Sequence, residues 1–221
     1  MPAGTITTLQ AQPSDPQRVN VFIDGVFAMG IGLTTLARER LYVGLLVSEA
    51  DYERLMRIEL SEKAVRAALR ALDARPRSVA EIRERLQRKG FDQDLAEAAI
   101  TRLADLGLLD DTAFARFWVE GRRNGRPRGP GALRDELRRK GVDSELIDTT
   151  LADEELVGDI DAQAERLARA ALHKYARAAD YASFARRMGG YLQRRGYSFA
   201  TIRPIIVQLW QERGALPDDE T

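Results

Sequence analysis

The sequence carries the hexapeptide Leu86-Gln87-Arg88-Lys89-Gly90-Phe91, which recurs as Leu137-Arg138-Arg139-Lys140-Gly141-Val142 and as Leu192-Gln193-Arg194-Arg195-Gly196-Tyr197. Apolar residues keep the same offsets from each glycine: Ile82, Leu133 and Met188 lie eight residues before it, and Ala96, Ile147 and Ile202 lie six residues after it. A chance hexapeptide would not carry its flanking apolar positions along. The sequence therefore contains three tandem copies of one unit, which we call copies one to three.

Each copy predicts a helix-turn-helix-turn-helix unit. An amphipathic helix ends in a basic turn, and the glycine past its end adopts the left-handed conformation. Asp92, Asp143 and Ser198 follow as N-cap candidates for the next helix. In copy one, Asp110 or Asp111 can cap a third helix, whose aromatic residues Phe114, Phe117 and Trp118 have helical spacing and predict core positions. Since such a unit is too small to bury its own faces, stacking of neighbours into an elongated, curved array is expected.

The first part of the chain predicts β-strands instead of the three-helix unit. Val19, Val21 and Ile23 alternate, Asp24-Gly25 predicts a two-residue hairpin turn, and residues 6–11 predict a third strand. Ser48 then begins a helical run, which we predict as two helices ending near Ala74.

The predicted fold class is mainly α, with three tandem three-helix repeats and a small N-terminal β-hairpin or sheet. The predicted organisation is an N-terminal β element (1–47), connecting helices (48–74) and repeats at 75–125, 126–175 and 176–221. The proline- and glycine-rich residues 126–131 separate copies one and two. Copy three is entered through a helix from about residue 159 to 175 and another from about Tyr181.

Composition excludes several classes of protein. The chain has no cysteine, which excludes disulfides and thiolate sites. Its start has no basic segment followed by an apolar one, and no apolar run approaches the roughly 20 residues of a membrane span, so we expect a cytoplasmic protein without membrane contact. His173 is the only histidine, and no phosphate-loop or nucleophile-elbow pattern occurs, so we predict no metal, no cofactor and no enzymatic activity.

The net charge of zero conceals strong local polarity. Residues 121–140 hold eight basic side chains against two acidic ones, and residues 186–203 hold five arginines and no acid, whereas residues 146–165 hold seven acids and no base. Exposed basic clusters can bind phosphates or an acidic protein surface. The candidate binding residues are Arg122, Arg123, Arg126, Arg128, Arg138, Arg139, Lys140, Arg187, Arg194 and Arg195.

A structural explanation competes for some of these residues. Basic side chains in a last helical turn also complement the helix dipole. For Arg88, Lys89, Arg139 and Lys140 this explanation is as good as partner binding. The residues from Arg122 to Arg128 are assigned to a linker, where the dipole explains less. Charge reversal of the arginines at 122, 123, 126 and 128 is therefore predicted to weaken partner binding with little change in thermal stability.

Several of these motifs together resemble the RecX family of recombinase regulators. They are Arg75-Pro76-Arg77-Ser78, residues 86–90, residues 107–111 followed by Phe114-Ala115, residues 133–141, and the hairpin Val21-Phe22-Ile23-Asp24-Gly25. The resemblance spans about residues 18–212 and is most specific in copies one and two. It implies a non-enzymatic regulator that binds the RecA recombinase, lodges in the groove of its nucleoprotein filament on single-stranded DNA, and inhibits strand exchange and ATP hydrolysis. It also implies roles in homologous recombination, DNA repair and the SOS response, and a monomer.

A second function remains open. Three-helix units with basic turns also resemble helix-turn-helix readers, so the chain can be a DNA-binding protein in its own right, with affinity for single- or double-stranded DNA that falls steeply with salt. A scaffolding helical-repeat protein is a third reading.

Overall fold

The computed structural model describes residues 3–175 and 178–214. They divide into two compact units, one formed by Met1–Arg75 with Ile82–Leu108 and the other by Pro76–Glu81 with Leu109–Thr221. The described part of the chain is mainly helical, with a small antiparallel sheet at the N-terminal side. The fold class predicted from the repeats is confirmed.

The sheet of the first unit contains strands β1 (Gly4–Gln12), β2 (Asp15–Ile23), β3 (Val26–Gly32) and β4 (Leu46–Val47) in the order β3-β2-β1-β4. Asp24 and Gly25 form the predicted two-residue turn, with φ angles of 49° and 81°. A short helix α1 (Leu33–Arg38) follows β3. The sequence analysis missed β4, because two residues carry no alternation pattern; only pairing with Gly4 and Thr5 makes them a strand.

One continuous helix, α2 (Glu49–Ala74), replaces the two helices predicted for this segment. Ser48 and Asp51 form a capping box at its start. Leu55, in the first half of α2, packs into the core of the sheet, whereas the second half contacts α4 (Gln93–Asp105). The buried face changes along the helix because its neighbours change, and no helix-breaking residue interrupts it.

Copy one continues with α3 (Val79–Arg88) and α4. Its core positions Ile82, Leu86 and Ala96 have no exposed surface. Gly90 ends α3 with a φ of +84°, and the Asp92 carboxylate accepts from the amide of Leu95 at the start of α4. The local chemistry predicted from the signature is present as expected.

The second unit contains two successive cores. Helices α5 (Asp111–Asn124), α6 (Pro130–Arg139), α7 (Ser144–Ala152) and the short α8 (Glu154–Val157) share the first. Helices α9 (Ile160–Tyr175), α10 (Tyr181–Gln193) and α11 (Phe199–Gly214) share the second. The predicted boundary at residue 176 placed the first of these helices in repeat two, although it packs with the other two.

The position of α5 differs from the prediction. The sequence analysis ended copy one with this helix, but its Phe114, Ala115 and Val119 are buried together with Leu133 and Leu137 of α6. The proline- and glycine-rich segment before Pro130 therefore joins two helices that share a core. Pro130 occupies the first turn of α6, where its missing amide hydrogen costs nothing. None of the helices in the described ranges has both the length and the apolar character required to cross a bilayer.

Candidate interaction surface

Two hydrogen-bonded joints at equivalent repeat positions lie within the second unit. The Ser78 hydroxyl, at the start of α3, donates to the carbonyl of Lys140 at 2.6 Å and accepts from the amide of Glu81 at 3.1 Å. The amide of Gly129, at the start of α6, donates to the carbonyl of Arg195 at 2.8 Å. Lys140 and Arg195 occupy the same position in the repeat, directly before the signature glycine. Each joint therefore fixes a basic turn that the sequence analysis proposed for binding.

Trp118 organises the basic residues at the first joint. Its indole nitrogen donates to Glu136 at 2.8 Å, and Arg122 donates to the same carboxylate at 2.7 Å. The cationic groups of Arg122 and Lys140 each lie 5.0 Å from the centre of the indole ring, and Lys140 pairs with Glu81 at 2.5 Å. Both cations thus have several partners within the protein.

Arg123 and Arg195 are also committed to contacts within the chain. Arg123 donates from one guanidinium nitrogen to the carbonyls of Glu155 and Leu156, at 2.8 and 2.9 Å. Arg195 stacks over Tyr191 with 3.8 Å between the guanidinium carbon and the ring centre. Arg122 and Arg123 were assigned to a linker, but both lie in the last turn of α5. Their hydrogen-bond acceptors, Glu136 for Arg122 and the carbonyls of Glu155 and Leu156 for Arg123, are more than ten residues away in sequence, which is why local patterns did not reveal them.

The remaining predicted residues project from the surface. Arg126, Arg139, Arg187 and Arg194 are exposed, and within residues 3–175 and 178–214 no hydrogen bond or ion pair from their side chains to another residue is recorded. Arg128 and Arg138 have acidic neighbours only at 3.8 Å, Glu136 and Asp135 respectively. The Arg138–Asp135 pair is exposed and contributes little to stability, so Arg138 remains able to bind a partner, whereas Arg128 lies beside the mostly buried Glu136 carboxylate.

The acidic segment 146–165 is partly neutralised by arginines of the same unit. Asp148 pairs with Arg134 and Asp153 pairs with Arg116, each at 2.7 Å. The Arg116 hydrogen bond, with that from the Leu156 amide, holds the pKa of Asp153 below its usual range. These two acids therefore pair with arginines other than the four exposed ones.

The structure also exposes groups that the sequence analysis did not propose for binding. Phe117, predicted as a core residue, is 49% exposed, whereas Phe114 is buried as expected. Phe199 is 76% exposed and lies three residues after the signature glycine, where copies one and two have Gln93 and Ser144. Arg186 and Arg203 are exposed nearby. Comparing the residues three positions after the signature glycine in all three copies, and not only the charges, would have identified Phe199 from the sequence.

Family models match four successive parts of the chain. They are described as the RecX N-terminal domain (residues 4–48) and the first, second and third RecX three-helix domains (residues 64–103, 110–151 and 159–206). Regulatory protein RecX of Mycobacterium avium (strain 104) is 42% identical over 137 residues, which cover 62% of this chain and 79% of that one. This chain belongs to the RecX family. RecX of Mycobacterium sp. (strain KMS) is 40% identical over 156 residues, covering 69% of this chain and 85% of its own.

Solved RecX structures share the fold. A crystal structure of regulatory protein RecX has a TM-score of 0.75 at 24% identity and covers 91% of this chain and 98% of its own. The structure of RecX from Lactobacillus salivarius has a TM-score of 0.62, also at 24% identity, and covers 70% and 99%. The second RecX three-helix domain (residues 110–151) begins with α5 and covers most of the first core of the second unit. The third domain (residues 159–206) covers most of the second core.

Proposed function

We propose that this RecX-family chain binds the RecA recombinase and its filament on single-stranded DNA, and that it inhibits strand exchange and ATP hydrolysis. The observation that supports this is the set of four exposed arginines without a recorded partner in the described residues, Arg126, Arg139, Arg187 and Arg194. Family membership directs the proposal to a recombinase. The chain then acts by binding, as a monomer in the cytoplasm, and catalyses no reaction itself.

Complementary charge is the physical basis of the proposed binding. Exposed guanidinium groups attract an acidic protein surface or phosphates, and they raise association rates more than they raise the affinity of a preformed contact. Because these arginines make no recorded bond within the described residues, few internal contacts must break before a partner binds. By contrast, Arg122, Arg123 and Lys140 would have to leave their present partners.

The direct test measures RecA ATP hydrolysis and strand exchange on single-stranded DNA with and without the purified chain. We expect both activities to fall when the chain is stoichiometric with RecA. Arg126→Glu combined with Arg139→Glu should weaken this inhibition about tenfold or more, as the loss of charged interface contacts does. Unchanged ATP hydrolysis and strand exchange with the wild-type chain would contradict the proposal.

A matched control separates local binding from net charge. Arg57 and Arg70 lie exposed on α2 of the first unit, with no side-chain bond to another residue recorded in the described part of the chain. The double variant Arg57→Glu and Arg70→Glu changes the net charge equally. It should inhibit RecA as the wild-type chain does, and equal losses in the two double variants would mean that only overall charge matters.

A further inference from the structure

Copies one and two hold the same salt bridge at the same place in the repeat. Arg83 and Glu97, seven residues before and after Gly90, form a two-pronged ion pair between α3 and α4. Arg134 and Asp148, at the same offsets from Gly141, pair between α6 and α7 with distances of 2.7 and 3.1 Å. In both copies this bridge links the signature helix to the helix that follows it.

Copy three lacks both partners of this bridge. The equivalent positions hold Gly189 on α10 and Arg203 on α11. A groove of about 800 Å³ lies between these helices, lined among others by Tyr181, Gly189, Phe199 and Arg203. A β-carbon on Gly189 would lie 3.4 Å from the Cδ1 of Ile206, an ordinary contact, so packing does not require glycine there. The groove lies between the two helices of the copy that has no such bridge.

Aromatic rings stand exposed at this groove. Phe199 is 76% exposed, although the equivalent residues Gln93 and Ser144 show that the position accepts polar side chains. Tyr181 is 42% exposed, and its ring meets Trp210 edge to face with 5.9 Å between centroids. Both rings therefore present surface to solvent.

The charged residues that line the groove are basic, and the nearby Asp180 carboxylate interacts with one of them, Arg186. Arg186 and Arg203 line it, and no acidic residue is among its described lining residues. The guanidinium of Arg194 lies beside Gly190, 3.2 Å from where a β-carbon of that glycine would stand. No bond of Arg186, Arg194 or Arg203 to another side chain is recorded in residues 3–175 and 178–214.

We propose that this copy-three groove binds single-stranded nucleic acid, with bases stacked on Phe199 and Tyr181 and phosphates beside Arg186, Arg194 and Arg203. Exposed aromatic rings within a basic groove are what single strands bind, since every base offers a flat face and every linkage offers a phosphate. A duplex hides its base faces. An acidic protein segment would meet the charge but would not need two exposed rings.

This inference deepens the proposed function. It rests on that function only for the identity of the natural ligand, which would be the DNA strand inside the recombinase filament. Binding of a free strand can be measured without RecA. We would use a fluorescein-labelled oligothymidylate of about 15 nucleotides, a length that one small domain covers, and record fluorescence anisotropy with the full chain.

Two variants replace copy-three residues by those of copy two. Phe199→Ser removes the exposed ring, and Gly189→Arg with Arg203→Asp installs the bridge that closes the groove. Each should lower the affinity for oligothymidylate about tenfold or more, since stacking of one base and a phosphate contact each contribute on that scale. The melting temperature should stay within a few degrees of wild type, because both replacements already occur at equivalent sites of the fold. Arg57→Gln, which changes the net charge as the bridge variant does, should bind like wild type.

The inference would be overturned by an absence of oligothymidylate binding to the wild-type chain or by full binding to both variants. Displacement of the labelled strand by polyglutamate as efficiently as by unlabelled oligothymidylate at equal charge would also overturn it. A duplex of the same length that binds as tightly as the single strand would also exclude base stacking. If oligothymidylate binding fails while RecA is still inhibited, only the groove inference falls. If binding holds and RecA activity is unchanged, only the proposed function falls.

Discussion

The hydroxyl of Ser78 binds the carbonyl of Lys140 at 2.6 Å across 62 residues of chain. One repeat later, Arg195 occupies the position equivalent to Lys140, and its carbonyl accepts a hydrogen bond from the amide of Gly129. The start of one signature helix thus satisfies a carbonyl at the end of the next signature helix, where helices otherwise leave carbonyl groups unpaired. Tandem stacking in the second unit is therefore specified by directional hydrogen bonds as well as by apolar contact.

Ser78→Ala should lower the free energy of unfolding by about 2 kcal/mol. The substitution removes a buried helix cap and also leaves the Lys140 carbonyl without its donor. Urea denaturation followed by circular dichroism would measure the loss. Ser48→Ala is the matched control, because Ser48 caps α2 at an exposed site and should cost about 1 kcal/mol. Equal losses in the two variants would mean that the bond to Lys140 adds nothing.

Gly196→Ala should destabilise the protein far more than Gly90→Ala. Both glycines have nearly the same left-handed φ, +86° and +84°. The new methyl group would lie 2.1 Å from the Ala132 amide nitrogen at Gly196, whereas nothing lies within 4 Å at Gly90. We expect about 1 kcal/mol for Gly90→Ala from backbone strain, and at least about 2 kcal/mol more for Gly196→Ala from the clash at the joint. Denaturation midpoints of the two variants test this, and similar values would show that the joint yields easily.

The arginines of the basic segment should separate into structural and free residues. Arg123→Glu should cost about 2 kcal/mol or more, because it removes a donor to two carbonyls and places a carboxylate beside them. Arg126→Glu should change the free energy of unfolding by less than about 0.5 kcal/mol, as substitutions of free surface residues usually do. Thermal denaturation of both variants checks the difference. Large destabilisation by Arg126→Glu would show that this side chain has a structural role.

Tyr197 should make stability fall at high pH. Burial raises the pKa of its phenol from 10.0 to about 12, and its hydroxyl is buried with no protein partner in the described residues. Folding therefore favours the neutral phenol. That contribution is complete below pH 10 and is lost as the pH rises from 10 through about 12.

Tyr197→Phe should remove that part of the alkaline loss. At pH 7 the free energy of unfolding should be unchanged or up to about 1 kcal/mol higher, since an unpaired buried hydroxyl is removed. Urea denaturation at several pH values between 8 and about 11 measures both effects relative to wild type. Tyr42→Phe, at a 59% exposed tyrosine, serves as control and should keep the alkaline loss. An unchanged pH dependence in Tyr197→Phe would contradict the assignment.

Short-range chemistry explains what could be predicted. The left-handed glycines, the caps at Asp92 and Asp143, and the Asp24-Gly25 turn each depend on neighbours within a few residues. Those features were therefore visible as patterns in the sequence. The single helix α2 was divided wrongly because its two halves bury different faces against different partners.

The sequence by itself determined the repeat, the type of each main element and most of the core residues, because helix periodicity, caps and turns are local properties. Phe117, which has core spacing but is exposed, is an exception. The tertiary structure decided which helices share a core, which cations are free, and which copy carries an open groove. Arg123 and Arg126 look alike in sequence, yet only Arg123 meets carbonyls more than 30 residues away. Partners so distant in the chain are brought together by packing, and no local pattern records them.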